Sequence, residues 1–308
     1  MKMAAQTMAA DAPTPHSTNR TGIVLGAFAF ALLTGADTCF KLASPGHPAY
    51  QILTVSGVFA LLLIFFRAAT GGGAKLLGTS RPALHLLRAG VGVMSTFAGI
   101  YAYSHLALTD YYAIVFAGPL LVTALSALWL KEKVDRARWV AIAAGFCGVL
   151  VVANPFAASD AATPTDALIG RLAAGASIFC YAVSVIMVRR MRTGEQSMTF
   201  ALFGYSVSIV GGLTLWLIFD TPPLGVGDVA LLALGGCLGG AGTLCVMEAY
   251  YRAPAALVAP FQYTQIFWGA LASYALWHLL PGPSLVAGAV IVAASGLFIL
   301  RRDLRGNR

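Results

Sequence analysis

The chain has 308 residues, of which 58% are hydrophobic and only 10% charged. Soluble domains carry roughly 25% charged residues, and a soluble core of this size has no room for so much apolar surface. The net charge of +8 sits in short clusters between apolar runs and lacks the aromatic interleaving of a nucleic-acid-binding stripe, which excludes nucleic acid as a partner.

Residues 1–20, rich in Ala, Thr and Pro, read as a disordered tail. The apolar run that follows continues to Lys41 without a convincing A-x-A cleavage site, so it reads as a retained first span rather than a signal peptide. A membrane span needs about 20 mostly apolar residues. On that rule the spans fall near 22–41, 49–67, 82–104, 108–130, 138–154, 168–189, 198–219, 228–251, 255–278 and 284–301. The fold class is therefore all-α integral membrane, with ten transmembrane helices. Pro82 suits a helix start, where its missing N–H costs nothing. The polar break AASDAATPTDA, within 155–167, reads as a linker between residues 21–154 and 168–303, with a short tail at 304–308.

Charge placement supports this count. Alternate loops share a side, and one set holds Lys2, Arg20, Arg67, Lys75, Arg81, Lys131, Lys133, Arg136, Arg138, Arg189, Arg190, Arg192, Arg252 and the C-terminal arginines. The other set holds only Lys41 and Arg171. By the positive-inside rule both termini are expected in the cytoplasm.

The two halves also resemble each other at an offset of 148 positions. Ala127-Leu128-Trp129 matches Ala275-Leu276-Trp277, Gly22 matches Gly170, Lys41 matches Arg189, Tyr103 matches Tyr251, and Gly148 matches Gly296. Each copy holds five spans, so the second enters the membrane inverted. Two inverted five-helix repeats are a recurrent plan of secondary transporters, with the substrate site near the midplane.

The segment AYYRAPAALVAPFQYTQIFWGALASYALWHLLPGPSLVAGAVIVAASGLFI and its first-half counterpart HLALTDYYAIVFAGPLLVTALSALWLKEKVDRARWVAIAAGFCGVLVV share one pattern. It is a small-residue turn, a Pro-containing span, an acidic loop and a Gly-containing last span. Over residues 20–303 this resembles the drug/metabolite transporter superfamily, specifically proteins built from two EamA-type repeats. The second copy departs from the pattern, with Leu279-Leu280 where the first has Lys131-Glu132. The resemblance implies movement of small organic solutes without an ATP site; cargo in the family includes amino acids and derivatives, riboflavin, S-adenosylmethionine and nucleotide-sugars. APAALVAPFQYTQIFWGAL looks most like bacterial members linked to vitamin or amino-acid-derived cargo.

Ionisable groups inside spans are functional candidates by default. Arg88 reads either as an anchor for a carboxylate or phosphate, or as an arginine snorkelling to headgroups. Glu248, four residues before Arg252, and Asp37, four before Lys41, read either as intrahelical ion pairs or as cavity groups. Gln262 and Gln265 share a helix face and want partners, and Tyr263, Trp268 and Tyr101 are aromatic candidates for the same cavity. Pro119 and Pro260 are candidate hinges. The five cysteines show no metal or disulfide spacing, and neither H-E-x-x-H nor G-x-S-x-G occurs. The expectation is a carrier of an amino-acid-like or metallophore-type zwitterion, exported, with vitamin or S-adenosylmethionine uptake as the alternative. No enzyme activity, cofactor or metal is expected; the lipid bilayer and a small-molecule substrate are the partners, and a homodimer is compatible with the plan.

Overall fold

The computed structural model describes residues 15–71, 78–129, 164–191, 195, 197–252, 259–280, 282–283 and 286–291, with scattered positions at 136, 139–140, 143–144, 147–148, 293–294, 298 and 301. Among the described residues all regular structure is helical. The long helices are α1 (Pro15–Ala43), α2 (Ala49–Gly71) and α3 (Pro82–His105). The short α4 (Leu108–Val115) and α5 (Gly118–Trp129) follow. Next come α6 (Pro164–Met191), α7 (Ser197–Ile218) and α8 (Val226–Arg252). A 3-10 turn (Ala259–Thr264) then leads into α9 (Gln265–Trp277).

Among the described residues seven segments are long and apolar enough to cross a membrane. The expected spans at 138–154 and 284–301 lie largely outside the described residues. Helix α1 begins at Pro15, so residues 15–20, expected in the tail, are helical; a proline at the first helical position is preorganised for this. The belt of side chains on the outside is apolar, with Leu217 80% and Phe66 69% exposed, which only lipid accommodates. Hydroxyls within the spans fold back onto their own helices: Thr34 donates to the Phe30 carbonyl, Ser56 to Ile52 and Thr96 to Gly92. That satisfies them where water is absent.

The fourth expected span is interrupted. Helix α4 ends at Val115, Phe116 and Ala117 form a turn, and α5 starts at Gly118. Pro119 has no N–H to offer the carbonyl of Val115, which accounts for the break. Pro260 lies in the 3-10 turn ahead of α9. The two interruptions fall about one repeat interval apart, as do the bounds of α1 and α6, α2 and α7, and α5 and α9.

The packing follows the same correspondence. Helix α1 packs on α8 as α6 packs on α3; α2 packs on α8 as α7 packs on α3; and α2 and α7 pack on each other. The first helix of each half thus buries itself against the third helix of the other. Glycines on α8 make this possible. A Cβ on Gly236 would collide with the backbone of Ser56, one on Gly240 would lie 3.1 Å from the Ala60 Cα, and one on Gly242 would lie 3.1 Å from the Ala29 carbonyl oxygen. Helix α8 is wedged between α1 and α2 at backbone contact, the close approach that small residues permit in membranes.

The largest buried apolar cluster joins the end of α1 (Cys39, Phe40, Ala43), the start of α2 (Ile52, Leu53), the end of α3 (Ile100, Tyr103) and α4 with its following turn (Leu108, Tyr112, Phe116). It seals the bundle at the α1–α2 turn. Gly236→Ala is expected to destabilise the detergent-solubilised protein by about 1–3 kcal/mol, the cost of overpacking a filled site. Gly175→Ala, in a helix interior where the added Cβ meets nothing within 4 Å, is expected to leave stability unchanged or raise it by up to about 1 kcal/mol. Thermal unfolding followed by tryptophan fluorescence separates the two; equal melting temperatures for both variants would contradict the packing.

Candidate functional site

A cavity of about 480 Å³ lies among α1, α2, α3, α4, α6, α7, α8 and the 3-10 turn leading into α9. That size suits a small metabolite. Its wall is mostly apolar but holds two ionisable groups on different helices, Asp37 of α1 and Arg88 of α3. Hydroxyls that include those of Tyr112, Tyr205, Ser95, Ser177, Ser184 and Thr243, with the amides of Gln262 and Gln265, contribute to its polar part.

Asp37 departs from the local pairing that its spacing to Lys41 allows. The Lys41 ammonium donates instead to the carbonyl oxygens of Tyr103 and Leu106, and lies 5.3 Å from the Trp277 ring centre. Those carbonyls belong to the end of α3, where helix geometry leaves acceptors without intrahelical donors. Freed from the lysine, the Asp37 carboxylate accepts a 2.7 Å hydrogen bond from the Tyr112 hydroxyl and faces the cavity.

Arg88 does not snorkel outward either. Its Nη2 donates to the Phe200 carbonyl at 2.6 Å, its guanidinium lies 5.4 Å from the Phe200 ring centre, and its Nε is buried without a partner among the described residues. A guanidinium with unspent donors on a cavity wall is suited to a carboxylate or phosphate. Gln262 and Gln265, 8% and 7% exposed, turn to the same cavity. An amide on a cavity wall can both donate to and accept from a polar ligand.

The remaining candidates lie elsewhere. Tyr263 packs edge-on to Phe116 at 5.2 Å, and Trp268 packs edge-on to Phe267 with its indole N–H buried and without a partner among the described residues. Tyr101 is exposed and stacks on His105. Glu248 is half-buried on α8, is not a free group and does not line the cavity. Among the described residues no group of three His, Cys, Asp or Glu side chains is arranged to hold a metal ion.

Sequence reasoning missed the tyrosine and serine layer. Ser95 and Ser177 exchange 2.8 Å bonds to each other's carbonyls, tying α3 to α6, and Tyr205 and Thr243 bond across α7 and α8. One signal was present, the Tyr111-Tyr112 doublet just after Asp110 in an otherwise apolar run.

A multi-pass helical bundle enclosing a metabolite-sized cavity with a carboxylate and a guanidinium on its wall has the form of a membrane carrier. The pattern of the EamA-like transporter family matches residues 20–154 and 168–301, and the chain belongs to that family. It is similar to the riboflavin transporter of Vibrio cholerae serotype O1 (26% identical, over 85% of this chain and 86% of that protein). The S-adenosylmethionine uptake transporter of Rickettsia bellii is 30% identical over 74% and 76% of the two chains, and the pseudopaline exporter of Pseudomonas aeruginosa is 24% identical over 92% and 96%. A protein crystal structure 16% identical in sequence shares the fold, with a TM-score of 0.66 over 92% of this chain and 98% of the other.

If Asp37 and Tyr112 act as a unit, their substitutions are not additive. Asp37→Asn and Tyr112→Phe are expected to show a coupling of about 1.5–3 kcal/mol in a double-mutant cycle on thermal stability, the range for a hydrogen bond to a charged group. Additive losses would show that the bond is not maintained.

Proposed function

We propose that the protein carries a small zwitterionic, amino-acid-like metabolite across the bacterial cytoplasmic membrane by alternating access. The observation behind this reading is that a carboxylate and a guanidinium, Asp37 and Arg88, stand on different helices of one cavity of about 480 Å³, with two amides on an otherwise mostly apolar wall. Such a wall offers one group to a cargo's ammonium and another to its carboxylate. Gln262 and Gln265 orient the cargo, while Glu248, Tyr101, Tyr263 and Trp268, off the wall, have no direct part in holding it.

The reading includes ten spans in two inverted repeats with both termini cytoplasmic. The recurrence of helix bounds and packing at one interval supports it, as does the segregation of basic residues. The breaks near Pro119 and Pro260 give each half a place to bend. Outward movement is the first reading of direction, in keeping with the pseudopaline exporter. Uptake of riboflavin or S-adenosylmethionine is the second, favoured by the names of two relatives.

The test is flux into and out of proteoliposomes holding the purified protein, with radiolabelled amino acids, S-adenosylmethionine and riboflavin as probes. An amino-acid-like probe is expected to move. Arg88→Ala and Asp37→Asn are each expected to raise the half-saturating concentration about tenfold to a hundredfold, the loss of one charged hydrogen bond. Riboflavin flux alone would favour the second reading, and unchanged kinetics in both variants would remove these residues from the site.

A further inference from the structure

Outside the cavity, two polar clusters join the halves of the molecule, and they are related by the same interval of 148 positions. The first lies at the start of α3. Glu195, just ahead of α7, accepts from Ser80 at 3.2 Å and pairs with His85 Nε2 at 3.1 Å. Their side chains are 1% and 0% exposed, and the His85 ring packs on Phe200 and Phe203. Hydrogen bonds from Thr79, His85 and Ser80 hold the Glu195 carboxyl below its usual range. One turn into α7, Thr199 donates to the Gly78 carbonyl.

The second cluster lies at the start of α2. His47 Nε2 pairs with Asp228 of α8 at 3.3 Å and its Nδ1 bonds Gln51 Oε1 at 2.8 Å. Gln51 in turn donates to the Pro222 carbonyl, ahead of α8. Glu195 corresponds to His47, Ser80 to Asp228 and Thr199 to Gln51, each pair 148 positions apart. The residue types differ, but two contacts correspond: Ser80 with Glu195 matches Asp228 with His47, and Thr199 like Gln51 reaches the carbonyl of the loop before the third helix of the other half. His85, which completes a histidine–carboxylate pair in the first cluster, has Ala233 at its matching position. Helix α2, about 34 Å long, starts at the second cluster and runs toward the end of the bundle where α3 begins, which places the two clusters at opposite ends.

We propose that these two clusters are the paired gates of the carrier, one at each membrane face, each clasping a helix start of one half to that of the other. This rests on the transport reading above. A carrier that exposes one cavity to two sides in turn must part its helices at one face while keeping them joined at the other. Here each of these two joints is small, polar and set at one end, whereas the middle of the bundle is held by backbone contact between helices and by the Ser95–Ser177 bonds between α3 and α6. The Glu195 clasp also connects to the cavity. Phe200 packs on His85 and gives its carbonyl to Arg88, so parting α7 from α3 releases an Arg88 donor as the path opens.

The experiment needs no cargo. In full-length protein with its five native cysteines replaced by alanine, Ser184→Cys places a thiol on the cavity wall. Its labelling by a membrane-impermeant maleimide is timed from each face of oriented vesicles. Glu195→Ala is expected to speed labelling about tenfold or more from the face carrying the α3 start only, and Asp228→Ala from the opposite face only. Exchanging partners, His47→Asp with Asp228→His, is expected to restore slow labelling, which a merely loosened fold would not do. Rates within about twofold of the parent from both faces in both single variants would overturn the proposal. So would equal acceleration at both faces without rescue by the exchange. One-sided labelling in a protein that moves no cargo would retain the gates and reject the transport reading.

Discussion

The contact between Gly236 and the backbone of Ser56 is the point on which the rest of the bundle turns. Lipid supplies no hydrophobic drive for helix association, so α8 must gain its place through van der Waals contact over a surface without side-chain relief. Because α8 lies that close to α1 and α2, Asp37 on one and the hydroxyl-bearing face of the other are brought around a single space. A wider crossing would spread these groups apart and admit lipid chains between them.

That packing also decides which polar groups are satisfied and which are left for a ligand. Most hydroxyls in the spans bond a carbonyl one turn back or one helix across, and the Lys41 ammonium closes the end of α3. Among the described residues the Arg88 Nε is a buried exception on the cavity wall, beside the amides of Gln262 and Gln265, while the Trp268 indole N–H, the Ser273 hydroxyl and His85 Nδ1 are exceptions away from it. In a bundle surrounded by hydrocarbon an unmet donor costs more than in a water-exposed cleft. Of these four groups, the Arg88 donor is the one that a ligand in the cavity can meet.

Periodicity and hydropathy made the long helices legible, because a helix facing lipid must be apolar all round. They also made Asp37 and Arg88 visible as charges in the wrong medium. What they could not show was where those charges turn. The spacing of Asp37 and Lys41 permits an ion pair, yet the choice is made by orphan carbonyls on α3, sixty positions further along the chain. The tyrosines and serines of the wall were hidden for a related reason, since a hydroxyl in an apolar run reads the same whether it faces a cavity, a neighbour or its own helix. Hydropathy continues across Phe116 and Ala117 and so gives one span at 108–130; the missing N–H of Pro119 is the sequence signal for the break.

The repeat was legible through identities such as Ala-Leu-Trp, but identity is a poor guide to what a repeat does. His47 and Glu195 share a position and no chemistry, as do Asp228 and Ser80. Each cluster nevertheless contains one histidine opposed to one carboxylate. In the first the acid sits ahead of α7 and the base comes from the first turn of α3; in the second the base sits ahead of α2 and the acid comes from the first turn of α8. A histidine and a carboxylate can change places and still pair, so the two halves can diverge in residue type while keeping the interaction. Their correspondence resides in the contact rather than in the residues, and it becomes visible only when the two ends of the folded bundle are compared.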